Sequence, residues 1–138
     1  MHDPYRDRDT VPLTLFIAED NKAALDSLAE LLSGVASVEI VGTANSEMAG
    51  ADWLMATRGS WDVLITDLLL LPGGSGFGLI RHAKSLGAFS KVVVFSDFVT
   101  EAVAKRCFAL GADAVFRKAD LDQLLDYVRS LSAETAVS

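Results

Sequence analysis

Residues 63–67 read Val-Leu-Ile-Thr-Asp, a short apolar run that ends on a carboxylate. Two similar runs lie on either side of it in the chain, LTLFIAED at residues 13–20 and VVVFS at residues 92–96. Branched and aromatic side chains without polar alternation are typical of strands that are buried on both faces, as in a parallel sheet covered by helices. The three runs therefore predict the central strands of an α/β domain.

The other segments alternate in the order that such a sheet requires. Apolar residues recur at helical spacing after each strand, which predicts helices over residues 21–33, 46–58, 77–86, 100–110 and 121–131. Two further strands are predicted over residues 38–42 and 114–117. Five strands that alternate with five helices predict a doubly wound parallel sheet with right-handed crossovers.

Composition limits the classes of function. The chain has 138 residues, a net charge of −7 and 51% hydrophobic residues, which fits one folded domain at 13–131, a disordered tail at 1–12 and a C-terminal tail at 132–138. We therefore expect no second domain, such as an output domain, within the chain. The acidic balance argues against direct binding to nucleic acid or to a membrane. The single cysteine and the polar N-terminus, which has no apolar leader, indicate a cytoplasmic protein.

The carboxyl ends of parallel strands form the binding edge of a doubly wound sheet. The strand-end residues here are three carboxylates, a hydroxyl and an amine: Glu19, Asp20, Asp67, Ser96 and Lys118. Carboxylates a few ångströms apart repel by about 4 kcal/mol at an effective dielectric near 20, so they call for a compensating cation. Oxygen ligands of this kind suit Mg²⁺.

The same residues carry the groups that phosphoryl transfer needs. An aspartate at the end of an apolar strand can attack phosphorus and form an acyl phosphate, which makes Asp67 a candidate nucleophile. Ser96 can donate a hydrogen bond to a phosphoryl oxygen, and Lys118 can pair with another.

The chain resembles the bacterial response-regulator receiver domains of two-component signalling, over residues 14–131. The resemblance rests on four motifs in the family's order and spacing, namely FIAEDN at 16–21, VLITD at 63–67, VVVFS at 92–96 and GADAVFRK at 111–118. It implies a flavodoxin-like (βα)5 fold with strand order 2-1-3-4-5.

The resemblance also implies a role for each matching residue. Asp67 would accept a phosphoryl group from a histidine kinase or a phosphotransfer protein. Mg²⁺ would be held by Asp20, Asp67 and the backbone carbonyl of Leu69, and by Glu19 through water. Ser96 and Lys118 would bind the phosphoryl group and take part in the switch. Phosphorylation would then repack the surface of the fourth helix, fifth strand and fifth helix, which a downstream protein or a second copy in a homodimer would contact.

Several positions depart from the family pattern. The loop after Asp67 is one residue longer than usual, and Asp97 stands where a very small residue is common. We therefore expect slow phosphorylation by small-molecule donors, because a further carboxylate repels an anion. Val115 stands where an aromatic switch residue is common, with Phe116 beside it, which puts the usual rotamer switch in doubt.

These observations favour a phosphorylation-dependent switch that signals through protein contacts and is not a turnover enzyme. One alternative is a degenerate receiver that works as a phosphorylation-independent adaptor, which the longer loop, Asp97 and Val115 favour. A second is a phosphohydrolase with an aspartyl-phosphate intermediate. Such enzymes usually carry another carboxylate two residues after the nucleophile, where this chain has Leu69.

Overall fold

A computed structural model describes residues 11–58, 60–86 and 90–137. The strands are β1 (Leu13–Ala18), β2 (Val38–Ala44), β3 (Val63–Thr66), β4 (Leu69–Leu70), β5 (Gly74–Ser75), β6 (Lys91–Ser96) and β7 (Ala114–Arg117). The helices are α1 (Lys22–Ser33), α2 (Glu47–Thr57), α3 (Gly76–Leu86), α4 (Glu101–Leu110) and α5 (Leu121–Val137). A short 3-10 turn, Lys118–Asp120, joins β7 to α5.

Five strands form one parallel sheet in the order β2-β1-β3-β6-β7, which confirms the predicted doubly wound fold and its strand order. Ala18 pairs with Thr66, and Thr66 pairs with Val94. The carboxyl ends of the three central strands therefore meet at the same edge, where the chemistry-bearing residues were expected.

Helices cover both faces of the sheet and divide the core into two layers. Helices α2, α3 and α4 pack on one face, where Leu54, Leu79 and Cys107 are fully buried. Helices α1 and α5 pack on the other face, where Leu32 and Leu124 are fully buried. Both faces of the central strands are thus apolar, which explains why β3 has no polar residue before Thr66.

The segment after Asp67, which the sequence marks as a loop one residue longer than usual, contains two short strands. Strands β4 and β5 form a small antiparallel hairpin, with Leu69 opposite Ser75 and Leu70 opposite Gly74. The Leu71–Pro72 peptide bond is cis, and Gly73 has φ +75°, a left-handed conformation that glycine adopts without a steric penalty. Helix α3 begins at Gly76, directly after the hairpin.

The last helix is longer than expected, since the sequence predicted that it ends at Leu131 and is followed by a tail at 132–138. Helix α5 continues to Val137. The extension contains no glycine or proline, and Ser132 is buried and donates its hydroxyl hydrogen to the carbonyl oxygen of Ala36 at 2.8 Å. Residues 1–10 of the predicted N-terminal tail lie outside the described residues.

Side-chain caps fix where three helices begin. Asn21, Ser46 and Thr100 each accept a hydrogen bond from the backbone N–H three residues on, at the starts of α1, α2 and α4. Among the residues that the structure describes, no helix combines the length and the apolar character needed to cross a membrane.

Candidate phosphorylation site

Asp67 follows β3 at the centre of the sheet edge and is only 6% exposed. Its Oδ1 atom accepts a hydrogen bond from the Ser96 hydroxyl at 2.6 Å, which comes from the end of the neighbouring strand β6. The same oxygen accepts the backbone N–H of Leu68 at 2.6 Å and that of Leu69 at 3.3 Å. Three donors therefore point at one carboxylate oxygen.

Lys118 lies directly after β7 and joins two carboxylates. Its ammonium nitrogen is 2.8 Å from Oδ2 of Asp67 and 2.5 Å from Oε1 of Glu19. The side chains of both acids are 6% exposed, and that of Lys118 is 24% exposed. The predicted convergence of Glu19, Asp67, Ser96 and Lys118 is therefore present, with the ammonium group between the acids.

The site sets the ionisation of its members through two opposed effects. Burial alone would raise the pKa of Asp67, but hydrogen bonds from Lys118 and Ser96 outweigh it and lower that pKa below its ordinary value. Burial raises the pKa of Glu19 despite the contact with Lys118. Burial would lower the pKa of Lys118, yet Asp67 and Glu19 together raise it well above its usual range. Asp67 is thus held as a carboxylate beside a permanent cation.

Asp20 lies at the rim of the site and contacts the hairpin. Its Oδ2 atom accepts the backbone N–H of Leu71 at 3.1 Å. Next to it, Glu19 Oε2 accepts the backbone N–H of Asn21 at 3.1 Å. These contacts fix the turn between β1 and α1, so the acidic pair is held at the sheet edge by backbone groups.

The donor set is compatible with a magnesium ion. Glu19, Asp20 and Asp67 offer hard carboxylate oxygens, which Mg²⁺ prefers, and the backbone N–H of Leu69 contacts Asp67. Across residues 11–58, 60–86 and 90–137, no three His, Cys, Asp or Glu side chains are gathered closely enough to hold a metal in this conformation. Lys118 supplies the positive charge between two of the acids.

The residues expected to modify the site lie next to Ser96 in the chain or on β7, the strand that precedes Lys118. Asp97 is exposed directly after Ser96. Val115 is half-buried against the core layer of α2, α3 and α4. Phe116 faces the opposite layer, where its ring meets that of Tyr127 edge-on at 5.6 Å. The two neighbours on β7 therefore contact different layers of the core.

Sequence reasoning missed two kinds of group. The backbone N–H of Leu68 is as close to Asp67 as the Ser96 hydroxyl is, and no side-chain pattern marks it. Phe98 is 57% exposed and donates its backbone N–H to the Ser96 oxygen at 3.2 Å. Its ring helps line an apolar cleft of about 180 Å³ with Leu68, Leu69, Phe77 and Val103. A phenylalanine in a polar turn was the available signal for this cleft.

Comparison with known proteins identifies the family to which this geometry corresponds. The family model described as the response regulator receiver domain matches residues 15–129. A curated relative, the uncharacterized transcriptional regulatory protein YvfU of Bacillus subtilis, is 29% identical over 119 residues, or 85% of this chain. The match covers 58% of YvfU, so the chain spans less than two thirds of that relative's length.

Solved structures share the fold. The response regulator domain of Thermotoga maritima CheB superposes with a TM-score of 0.77 at 15% identity, covering 89% of this chain and 97% of that one. The phosphorylated cyanobacterial phytochrome response regulator RcpA gives a TM-score of 0.70 at 26% identity, covering 87% and 91%. The CheB likeness concerns the fold alone, whereas the family match also covers all five strand-end residues of the site.

Proposed function

This chain belongs to the response regulator receiver domain family, and on that premise we propose that Asp67 accepts a phosphoryl group from a histidine kinase or a phosphotransfer protein. Receiver domains are phosphoacceptor signalling domains of two-component systems, and they generally bind Mg²⁺ at the phosphorylation site. The observation that carries the proposal is the pair of contacts on Asp67, with the Ser96 hydroxyl at 2.6 Å and the Lys118 ammonium at 2.8 Å.

The contacts of Asp67 suit a nucleophile. Its pKa is lowered by the hydrogen bonds from Lys118 and Ser96, and as a carboxylate at neutral pH it has an oxygen lone pair available to attack phosphorus. In the transfer step a new P–O bond forms to Asp67 while the P–N bond to the donor histidine breaks. The imidazole leaves with the bonding electron pair and takes a proton from solvent.

Ser96 and Lys118 are suited to receive the charge that arrives with the phosphoryl group. The hydroxyl of Ser96 and the ammonium of Lys118 already donate to the two oxygens of Asp67. Once a phosphoryl group is attached to Asp67, both donors can turn to its oxygens. Charge-assisted hydrogen bonds then stabilise the negative charge of the phosphoryl group. The Asp67 carboxylate then becomes part of a neutral acyl–phosphate (mixed anhydride) linkage, so Lys118 exchanges one anionic partner, the carboxylate, for another, the phosphoryl oxygens.

We further propose that Asp20, Asp67 and the Leu69 carbonyl would hold Mg²⁺, with Glu19 binding it through water. When bound, a divalent cation would supply positive charge that offsets the negative charge of the incoming phosphoryl group and of the acids. Signalling then passes through protein contacts, with the surface of α4, β7 and α5 as the candidate face for a downstream protein or for a homodimer. This surface would exist in two arrangements, and phosphorylation would shift the population from one to the other.

Intact-mass measurement tests the proposal directly. The protein is incubated with histidine-phosphorylated donors, with Mg²⁺ or with a chelator, and the variants Asp67→Asn and Asp97→Asn are treated in parallel. The expected result is a gain of one phosphoryl group in the wild type and in Asp97→Asn, and none in Asp67→Asn or without Mg²⁺.

A different result would redirect the assignment. A protein that gains no phosphoryl group from any donor and does not bind Mg²⁺ would favour the phosphorylation-independent adaptor. Sustained release of phosphate from small phosphoesters would favour the phosphohydrolase. Equal phosphorylation of Asp67→Asn would show that another residue is the acceptor.

A further inference from the structure

The β4–β5 hairpin is held by carboxylates on its two outer sides. On the side of the phosphorylation site, Asp67 Oδ1 accepts the Leu69 N–H at 3.3 Å. On the opposite side, Oε1 of Glu47, the first residue of α2, accepts the Ser75 N–H at 2.8 Å. Leu69 and Ser75 face each other across the hairpin, so the two carboxylates hold its two strands from opposite sides.

The register of the hairpin sets the direction of the Leu69 carbonyl. The N–H of Gly76 donates to the Leu68 carbonyl at 2.9 Å, so the pairing alternates and Leu69 and Ser75 form a pair without mutual hydrogen bonds. In such a pair the N–H and C=O groups of each residue point away from the other strand. The Leu69 carbonyl therefore lies on the same side as its N–H, which contacts Asp67.

Glu47 is fixed by close packing as well as by its hydrogen bond. A Cβ atom on Gly74 would lie 2.6 Å from the Glu47 Cβ, and one on Gly78 would lie 2.6 Å from the Glu47 carboxyl carbon. Both distances are too short for real atoms, so the two glycines make room for this side chain. Ser75 in turn accepts the N–H of Gly78 at 3.3 Å and caps α3, where a carboxylate is favourable.

We infer that Glu47 is a positioning residue for the divalent-cation site. It holds β5 in place, and β5 holds the Leu69 backbone whose carbonyl is the proposed ligand. The inference rests on the proposed function, because the Leu69 carbonyl is a metal ligand only under that proposal. Residues that hold a metal ligand in place through hydrogen bonds matter for affinity. Removing one commonly weakens metal binding by about tenfold or more.

Calorimetric titration with Mg²⁺ tests this role in the full chain. Glu47→Ala removes the acceptor, Glu47→Gln keeps an acceptor oxygen without the charge, and Asp52→Ala removes an exposed charge from the same helix. The expected result is affinity weaker by about tenfold in Glu47→Ala and within about twofold of wild type in the other two. Faster amide exchange at Ser75 in Glu47→Ala would accompany the loss.

A second variant distinguishes weaker Mg²⁺ binding from a general loss of folding in Glu47→Ala. Gly78→Ala keeps Glu47 but crowds its carboxylate, and alanine favours helix α3, so we expect it to weaken Mg²⁺ binding with little loss of melting temperature. Unchanged affinity in Glu47→Ala, alongside lost binding in Asp67→Asn, would overturn the inference and leave the proposed function standing. Equal weakening in Glu47→Gln and Glu47→Ala would also overturn it, because the charge would then matter rather than the hydrogen bond. A wild type that does not bind Mg²⁺ would overturn both.

Discussion

Replacing Lys118 with methionine removes the cation between Glu19 and Asp67 while keeping most of the side-chain volume. At 2.5 and 2.8 Å, each contact has a gross attraction of about 6 kcal/mol at an effective dielectric near 20, most of which offsets desolvation. Removing one partner from a buried ion pair typically costs about 3–5 kcal/mol. Because the Lys118 side chain is 24% exposed, we expect a cost at the lower end of this range. The free energy of unfolding at pH 7 should fall by about 3 kcal/mol.

The loss should depend on pH in a defined direction. In the wild type, the pKa of Lys118 is raised, so its contribution is fully present at neutral pH and is lost only in strongly alkaline solution. In Lys118→Met the two buried acids lack a cation, so their pKa values rise and protonation relieves them as the pH falls. The difference between variant and wild type should therefore shrink between pH 7 and pH 5.

Urea denaturation without divalent cations measures both effects. The matched control is Lys84→Met, since the Lys84 side chain is 25% exposed and its partner Asp113 is 27% exposed, 2.9 Å away. We expect the control to lose about 1 kcal/mol, with little dependence on pH over the same range. A Lys118→Met protein within 1 kcal/mol of wild type at pH 7, or a loss that grows as the pH falls, would refute the reasoning.

Three further perturbations test other parts of the structure. Ser96→Ala removes the 2.6 Å hydrogen bond to Asp67, so the pKa of Asp67 should rise, as followed by carboxyl ¹³C titration; an unchanged or lower value would contradict this. Asp97→Ala removes an exposed negative charge beside Ser96, so the rate of phosphorylation by small-molecule phosphodonors, measured by intact mass, should rise by about twofold. An unchanged rate would count against repulsion between Asp97 and the donor. Ser132→Ala removes the hydrogen bond to the Ala36 carbonyl, so the free energy of unfolding should fall by about 1 kcal/mol. Amide exchange at residues 132–137 should become faster. Unaltered exchange would show that the end of α5 does not depend on this contact.

The parts of the fold that could be predicted are those with a strong local signal. The run at residues 63–66 has no polar interruption until its last position, and Ser46 and Thr100 precede helices that they cap. Strand ends also determine which residues share an edge, so the meeting of Glu19, Asp67, Ser96 and Lys118 followed from topology. Each of these inferences needs only short-range pattern and the geometry of parallel strands.

The parts that could not be predicted depend on contacts between distant residues or on very short elements. Strands β4 and β5 have two residues each, too few for an alternating pattern. Helix α5 continues past Leu131, where Ser132 contacts the carbonyl of Ala36, which is 96 residues away in sequence. The contact of Glu47 with Ser75 spans 28 residues, and only the glycines beside it hint at the room it needs.

The central claim is that Asp67 itself carries the phosphoryl group. Borohydride reduces an aspartyl phosphate to homoserine, so peptide mass mapping after phosphorylation with a histidine-phosphorylated donor and Mg²⁺ locates the acceptor. The account predicts homoserine at position 67 and unmodified aspartate at positions 20 and 97. Homoserine at either of those positions, or none at position 67 in a protein whose intact mass shows phosphorylation, would contradict it.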